Sequence, residues 1–369
     1  MYINNDFSRL EINLEGCREN YRYFRSKLDD STKLLVLVKA NAYGHGAVEF
    51  ASLMEEAGAD YLAVAYPVEG IELRQAGIHS PVMVLTAGTD SFDQIVNYGL
   101  EPGIPNLYSL QVLCRILEKR GLTDFPVHIK LDTGMHRLGF MSDELPELIT
   151  FLKDCHAVKV KSVYSHLAAA DDPSSDQFTL DQINLFQSNA DKLSESLGYK
   201  PLYHILNSAG IERFPQYQFD MVRLGIGIYG VSAIPGCRLS PVASFKCKVL
   251  QVKSLKAGDG SIGYGRHGKI DPEGTVVATI PVGYADGIDR HLSCGKGRFS
   301  INGHRVPTIG NICMDMCMLD VTGIDVKVGD TVTIFGEDPT ITELAEVLGT
   351  IPYEILTSVP RRIERIIVR

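Results

Sequence analysis

Nowhere does the chain carry an apolar run long enough to span a bilayer. Its first ten residues, with Asn4, Asn5, Asp6 and Arg9, lack the charged-then-apolar pattern of a signal peptide. These two absences predict a cytoplasmic protein with no membrane attachment. Positive charge is also scarce: 36 Lys and Arg stand against 45 Asp and Glu, a net charge of −9. Arg361 and Arg362 form only a pair, not a basic run. Binding to phosphate backbones needs clustered Lys and Arg, so nucleic acid is excluded as a partner. The eight cysteines are scattered, and the tightest pair, Cys313 and Cys317, has no second pair to complete a zinc site. They read as small core residues in a reducing compartment, and no metal is expected. Tryptophan is absent, and the remaining composition is ordinary at 45% hydrophobic and 22% charged.

A chain of 369 residues exceeds the size at which a single core keeps growing, so two domains are expected. Apolar runs at 33–39, 61–65, 81–85, 127–132, 158–165, 202–206 and 221–224 alternate with amphipathic segments. Near-continuous Val, Ile and Leu strands between helices belong to a parallel sheet covered on both faces. About eight such units in roughly 220 residues favour an α/β fold closed as a (β/α)8 TIM-type barrel. No glycine-rich dinucleotide turn follows the first strand, which counts against an open doubly wound sheet. After Pro235 the texture changes to β-branched runs at 245–252, 275–281, 298–301, 318–321 and 331–335. They are separated by Gly258-Asp259-Gly260, Asn302-Gly303 and Gly329-Asp330, and predict a mainly antiparallel β domain. The expected division is a barrel over 10–234 and a β domain over 235–369, with residues 1–9 packing on the latter.

Active sites of such barrels lie at the carboxyl ends of the strands. Lys39 sits at one, ending KLLVLVK and opening VKANAYGHG. Two readings are open for it. It is a lysine reaching past the rim to keep its amine hydrated, or a half-desolvated amine whose lowered pKa makes it a nucleophile for a carbonyl. Tyr43, Gly44 and Gly46 favour the second, since glycine admits close backbone approach and a phenol can meet an anion. Other polar groups recur at the same rim: Asp132 to Arg137, then His166, then His204 with Asn207 and Ser208, then Arg223 before Gly225 and Gly227. Each alone fits a cap, a turn or a core residue. Their recurrence at successive strand ends points to one site, and late loops rich in Gly and Ser suit a phosphate.

In order, VKANAYGHG, KLDTGMHRLGF, YSHLAAAD, NSAG, VRLGIGIYG, GYGR, PVGYADG, NICMDM and PYEILTSVPRRIER resemble the motif series of the bacterial alanine racemases, across 10–365. The resemblance implies a homodimer that interconverts L- and D-alanine with pyridoxal 5'-phosphate (PLP) and supplies D-alanine for peptidoglycan. It implies that Lys39 holds PLP as a Schiff base and is one catalytic base, and that Tyr264 of GYGR is the other, delivered across the dimer interface. Racemisation needs both, because one group removes the α-proton and another returns it to the opposite face. A free phenol titrates near 10, so the tyrosine needs tuning. His166 resembles the residue hydrogen-bonded to it. Arg223 resembles the arginine facing the pyridine nitrogen, with His204 and Asn207 in support. Arginine is a permanent cation and only a donor, so it leaves that nitrogen without a proton and discourages transamination.

For the phosphate, the resemblance points to Tyr43, Ser208, the backbone N–H groups of Gly225 and Ile226, and Tyr353. For the substrate carboxylate it points to Arg137 with the backbone of Met314 of the partner subunit, while Asp315 and Tyr284 line the entrance. Lys130 matches a lysine carbamylated in some members, and an ordinary strand-edge lysine remains the alternative. Ile288 stands where an aromatic residue is frequent, and His136 fills a variable position. Tyr353, often changed in serine-preferring relatives, is retained, which favours alanine. Amino-acid decarboxylases of the same plan carry a glycine-rich phosphate motif and a late Cys-Asp pair that are not evident here. A non-enzymatic PLP-carrying barrel would not need the residues after Pro235.

Overall fold

The computed structural model describes residues 7–368. Residues 1–6 of the N-terminal segment assigned to the β domain therefore lie outside the described residues. The first strand, β1 (Ser8–Asn13), alternates buried and half-buried side chains. Eight strands follow in the barrel: β2 (Lys33–Leu37), β3 (Tyr61–Val64), β4 (Val82–Val84), β5 (Glu101–Ile104), β6 (Phe125–Lys130), β7 (Val158–Tyr164), β8 (Leu202–His204) and β9 (Met221–Leu224). They pair in parallel in the order β8-β7-β6-β5-β4-β3-β2-β9. The ring is drawn shut between its ends, where Asp220 N–H donates to the Tyr203 carbonyl at 3.2 Å and Arg223 N–H to that of Leu206 at 3.0 Å.

Strands with two covered faces explain the apolar runs. Leu34 and Val36 of β2 point outward towards the helices, while Leu35 joins Tyr61, Ala63, Met83, Tyr164 and Met221 in a buried cluster inside the barrel. The same period of two places His128 and Lys130 of β6, Ser162 and Tyr164 of β7, His204 of β8 and Arg223 of β9 inside. The sequence reading left out β5 and the helix Leu107–Lys119 after it. Pro102 and Gly103 are poor strand formers and hid the short EPGI strand.

Contacts gather Arg18–Ala42 and Ala47–Leu239 into the barrel unit, and the segment ending at Cys17, Tyr43–Gly46 and the segment from Ser240 into a second unit. Leu10 and Ile12 belong with the β unit because β1 pairs there on both edges. Its partners are β10 (Ala243–Lys248), antiparallel with Leu10 opposite Phe245, and β17 (Glu364–Val368), parallel. Between these two lie β11 (Gln251–Leu255), β12 (Thr275–Ile280), β13 (Arg298–Ile301), β14 (His304–Pro307), β15 (Cys317–Asp320) and β16 (Thr331–Phe335). They form a six-stranded sheet, β14-β13-β16-β10-β1-β17, and a three-stranded one, β11-β12-β15, so the unit is mainly antiparallel. The run read as one strand at 245–252 is two, β10 and β11, in different sheets. Asn302-Gly303 makes the β13–β14 turn with both residues at positive φ, the conformation this dipeptide tolerates best. Among the described residues no helix is long and apolar enough to cross a membrane.

Candidate active site

Lys39 follows the buried end of β2 and is itself half-buried. Beyond it the chain makes a left-handed turn, with φ of 52° at Ala40, 55° at Asn41, 51° at Ala42 and 51° at Tyr43. Non-glycine residues pay about 1–2 kcal/mol each in that region, so the turn must be held by its surroundings. Within the barrel unit three bonds hold it: Ala40 N–H to Glu69 Oε1 at 2.6 Å, Ala42 N–H to the Val38 carbonyl at 2.9 Å, and Ala47 N–H to Asn41 Oδ1 at 3.0 Å. Burial lowers the Lys39 pKa, the Arg137 cation lowers it further, and Glu69 pulls the other way. The amine is thereby made a better nucleophile at neutral pH.

On β6, burial first and then the cations of Arg137 and Arg223 bring Lys130 down to about 8. The loop beyond it is tied by Asp132, whose Oδ1 accepts the N–H groups of Gly134 and His136, each at 3.0 Å. Burial would raise the Asp132 pKa, but these donors hold it below the usual value. Gly139, at φ 126°, closes the loop so tightly that a Cβ would lie 2.6 Å from Asp132 N. The tip presents Arg137 to solvent.

Arg223 is buried and its two terminal nitrogens are fully engaged. Nη1 bonds His204 Nδ1 at 3.0 Å and the His204 carbonyl at 3.1 Å. Nη2 reaches the carbonyls of Ser165 and Ile205 and, at 3.2 Å, His166 Nδ1. Burial brings its pKa down to about 10, still a cation at neutral pH. Both histidines are pushed well below 6.5 by burial and then by Arg223, so both are neutral. Asn207 caps the helix Ser208–Arg213 by accepting Gly210 N–H at 2.9 Å. Ser208 Oγ accepts the N–H groups of Gly225 at 2.9 Å and Gly227 at 3.1 Å. The Gly225 N–H, expected as a phosphate donor, bonds Ser208 Oγ in this structure, and the serine hydroxyl, having accepted two N–H groups, keeps its own proton to donate. Ile226 is buried in the turn beside it.

In the second unit the rings of Tyr43 and Tyr353 lie 5.9 Å apart. Burial, then the neighbouring Tyr353, raises the Tyr43 pKa, so its phenol stays a neutral donor. Tyr264 stands on a turn with Gly263 at φ 74° and Gly265 at φ 69°, closed by reciprocal Ile262–Gly268 bonds and by Asn311 Nδ2 to the Tyr264 carbonyl at 2.8 Å. Tyr264 is 75% exposed and Met314 is 54% exposed. Tyr284 N–H donates to the Cys313 carbonyl and Ala285 N–H to that of Met314, each at 3.0 Å. Arg362 bridges Asp286 and Asp315 at 2.8 Å each, which ties the PVGYADG and NICMDM loops into one edge.

Two family models match the chain: the alanine racemase N-terminal domain over residues 12–233 and the alanine racemase C-terminal domain over 242–367. The chain belongs to the alanine racemases. An alanine racemase of Synechocystis sp. is 37% identical, over 97% of this chain and 98% of its own. The solved alanine racemase of Clostridium difficile superposes with a TM-score of 0.92 at 35% identity, over 100% of this chain and 97% of that one. The alanine racemase of Bartonella henselae with covalently bound pyridoxal phosphate gives 0.88 at 30% identity, over 98% and 99%. The chain is accordingly an isomerase that interconverts L- and D-alanine. The sequence reading missed the polar partners behind the barrel rim: half-buried Glu101 and buried His128 and Ser162, linked to His204 and Arg223. Their signal was present, as polar residues at inward parity in otherwise apolar strands.

Proposed function

We propose that this chain racemises alanine with PLP held by Lys39, using Lys39 and Tyr264 of the partner subunit as its two bases, in a cytoplasmic homodimer that supplies D-alanine for peptidoglycan. The donor set fits the cofactor. The O–H of Ser208, the phenols of Tyr43 and Tyr353 and the backbone N–H groups of Gly225 and Ile226 are donors of the kind a phosphate accepts. With both terminal nitrogens of Arg223 engaged, its Nε–H is the donor left for a ring nitrogen. When bound, the pyridoxal group takes up the electron pair left at the α-carbon.

The chain's own groups do the rest. Arg137 holds the substrate carboxylate with the backbone of the partner's Met314, and the entrance is lined by Tyr284 and Asp315. Lys39 Nζ takes or returns the proton on one face, and Tyr264 Oη does so on the other. Because Arg223 donates to His166 Nδ1, the neutral ring carries its proton on Nε2, which can donate to the tyrosine oxygen. Lys130, buried beside Arg137, orients that arginine once its amine is carbamylated.

The observation that carries this reading is Lys39, a strand-end amine whose burial and cationic neighbour lower its pKa. Deuterium wash-in tests it, with NMR on separate D- and L-alanine samples. Tyr264→Ala should lose racemisation in both directions by about 10²–10⁴-fold yet keep exchange on D-alanine alone. Equal exchange of both enantiomers by the variant would contradict the two-base reading.

A further inference from the structure

A continuous chain of polar groups, half-buried at Glu101 and buried from His128 to Arg223, crosses the barrel interior. Glu101 Oε2 lies 2.9 Å from His128 Nε2, and His128 Nδ1 lies 2.6 Å from Ser162 Oγ. Ser162 Oγ lies 2.8 Å from His204 Nε2, and His204 Nδ1 lies 3.0 Å from Arg223 Nη1. His128, Ser162 and His204 are each 0% exposed. We propose that Glu101 is a positioning residue, which through His128, Ser162 and His204 fixes Arg223 as an all-donor cation at the cofactor site.

The two ends decide the direction. Arginine can only donate and a carboxylate can only accept. His204 Nδ1 must therefore accept from Arg223, so its proton is on Nε2 and goes to Ser162. Ser162 then donates its hydroxyl proton to His128 Nδ1, and His128 Nε2–H donates to Glu101. A cationic His128 would face Ser162 with a second N–H, and the hydroxyl proton would have no acceptor, since among the described residues its only partners are the two imidazoles. An unmet buried donor costs about 1–3 kcal/mol. All four bonds are satisfied by one arrangement of protons, and the chain transmits the polarity of a carboxylate to an arginine with which it shares no direct bond. The Tyr164 ring, stacked on His204 at 5.2 Å, blocks rotation of that imidazole.

The kinetic consequence rests on the reading that Arg223 faces the ring nitrogen, whereas the tautomers do not. In the wild-type holoenzyme labelled with 15N-histidine, two-bond 15N–1H spectra should show His128 and His204 both neutral and protonated on Nε2. A cationic His128, or a His204 protonated on Nδ1, would overturn the proposal without any variant having to fold. Glu101→Gln and Ser162→Ala should each lower kcat by about 10-fold with little change in the KM for alanine, and Glu101→Asp should recover part of the loss. The double variant should be no worse than Ser162→Ala, because both interrupt one chain. Additive losses, or a loss carried by KM, would show that Glu101 acts elsewhere and would overturn its assignment. Correct tautomers with unchanged kcat in both variants would overturn the assignment of Glu101 as a positioning residue.

Discussion

Lys39 and Lys130 show how one barrel lowers two lysines by the same means. Both are pushed down first by burial and then by Arg137. For Lys130 the folded value of about 8 lies below its ordinary 10.5, so between these limits the unfolded chain binds the proton that the fold releases. Its burial penalises the fold fully below the lower limit, and the penalty fades as pH rises to the upper one. The neutral amine is the form that reacts with carbon dioxide. With 13C-labelled bicarbonate at fixed dissolved CO2, a carbamate resonance should grow as pH passes through about 8 and be missing from Lys130→Ala. A resonance that persists in that variant would assign the label elsewhere. Lys39, His166, His204 and Arg223 were legible in the sequence because each ends a recognisable strand. Glu101, His128 and Ser162 were not, because a lone polar residue inside a strand shows its purpose only once the strand's inward parity and its neighbours are known.

Elements carry the site by geometry that propensity opposes. The turn at Ala40–Tyr43 runs left-handed through four residues that have a Cβ, and Asn41 is the one among them that tolerates it best. Asn41→Ala removes the acceptor for Ala47 N–H. The loss should be about 1–2 kcal/mol, from one hydrogen bond and a less tolerant residue in that region. A lower unfolding midpoint, together with a weaker hold on the cofactor, is the expected result; an unchanged midpoint would mean that other contacts fix the turn. Nothing in KANAYG announced this conformation, since no local rule places alanine at positive φ. The pairing of β1 and the merging of β10 with β11 have a related cause. SRLEIN and SFKCKVLQV alternate as strands should, but which sheet a strand joins is set by partners far along the chain or across a loop, as when Leu10 meets Phe245 and Gln251 meets Thr279. By contrast, the near-continuous apolar runs of β2, β3 and β9 were legible because both their faces are buried.

At the scale of the whole molecule, the family and the barrel-plus-β plan were legible because a long ordered series of motifs leaves little freedom. The homodimer is implied only by resemblance, and two exposed side chains fit that proposal. Tyr264 and Met314 stand on edges stiffened by glycine turns and loop-to-loop bonds, yet leave large side chains open to water. Rigid presentation of an exposed phenol and thioether suits a surface built to complete another copy's site. The most direct test of the central claim, that two bases from two protomers face one substrate, is a mixed dimer of Lys39→Ala and Tyr264→Phe subunits. Either variant alone should be inactive as a homodimer. In the mixed dimer both defects fall in one site and the other site is intact, so racemisation should return to about half the wild-type rate per dimer. A verified mixed dimer with no recovered activity would contradict the account, since it would place both bases in the same chain.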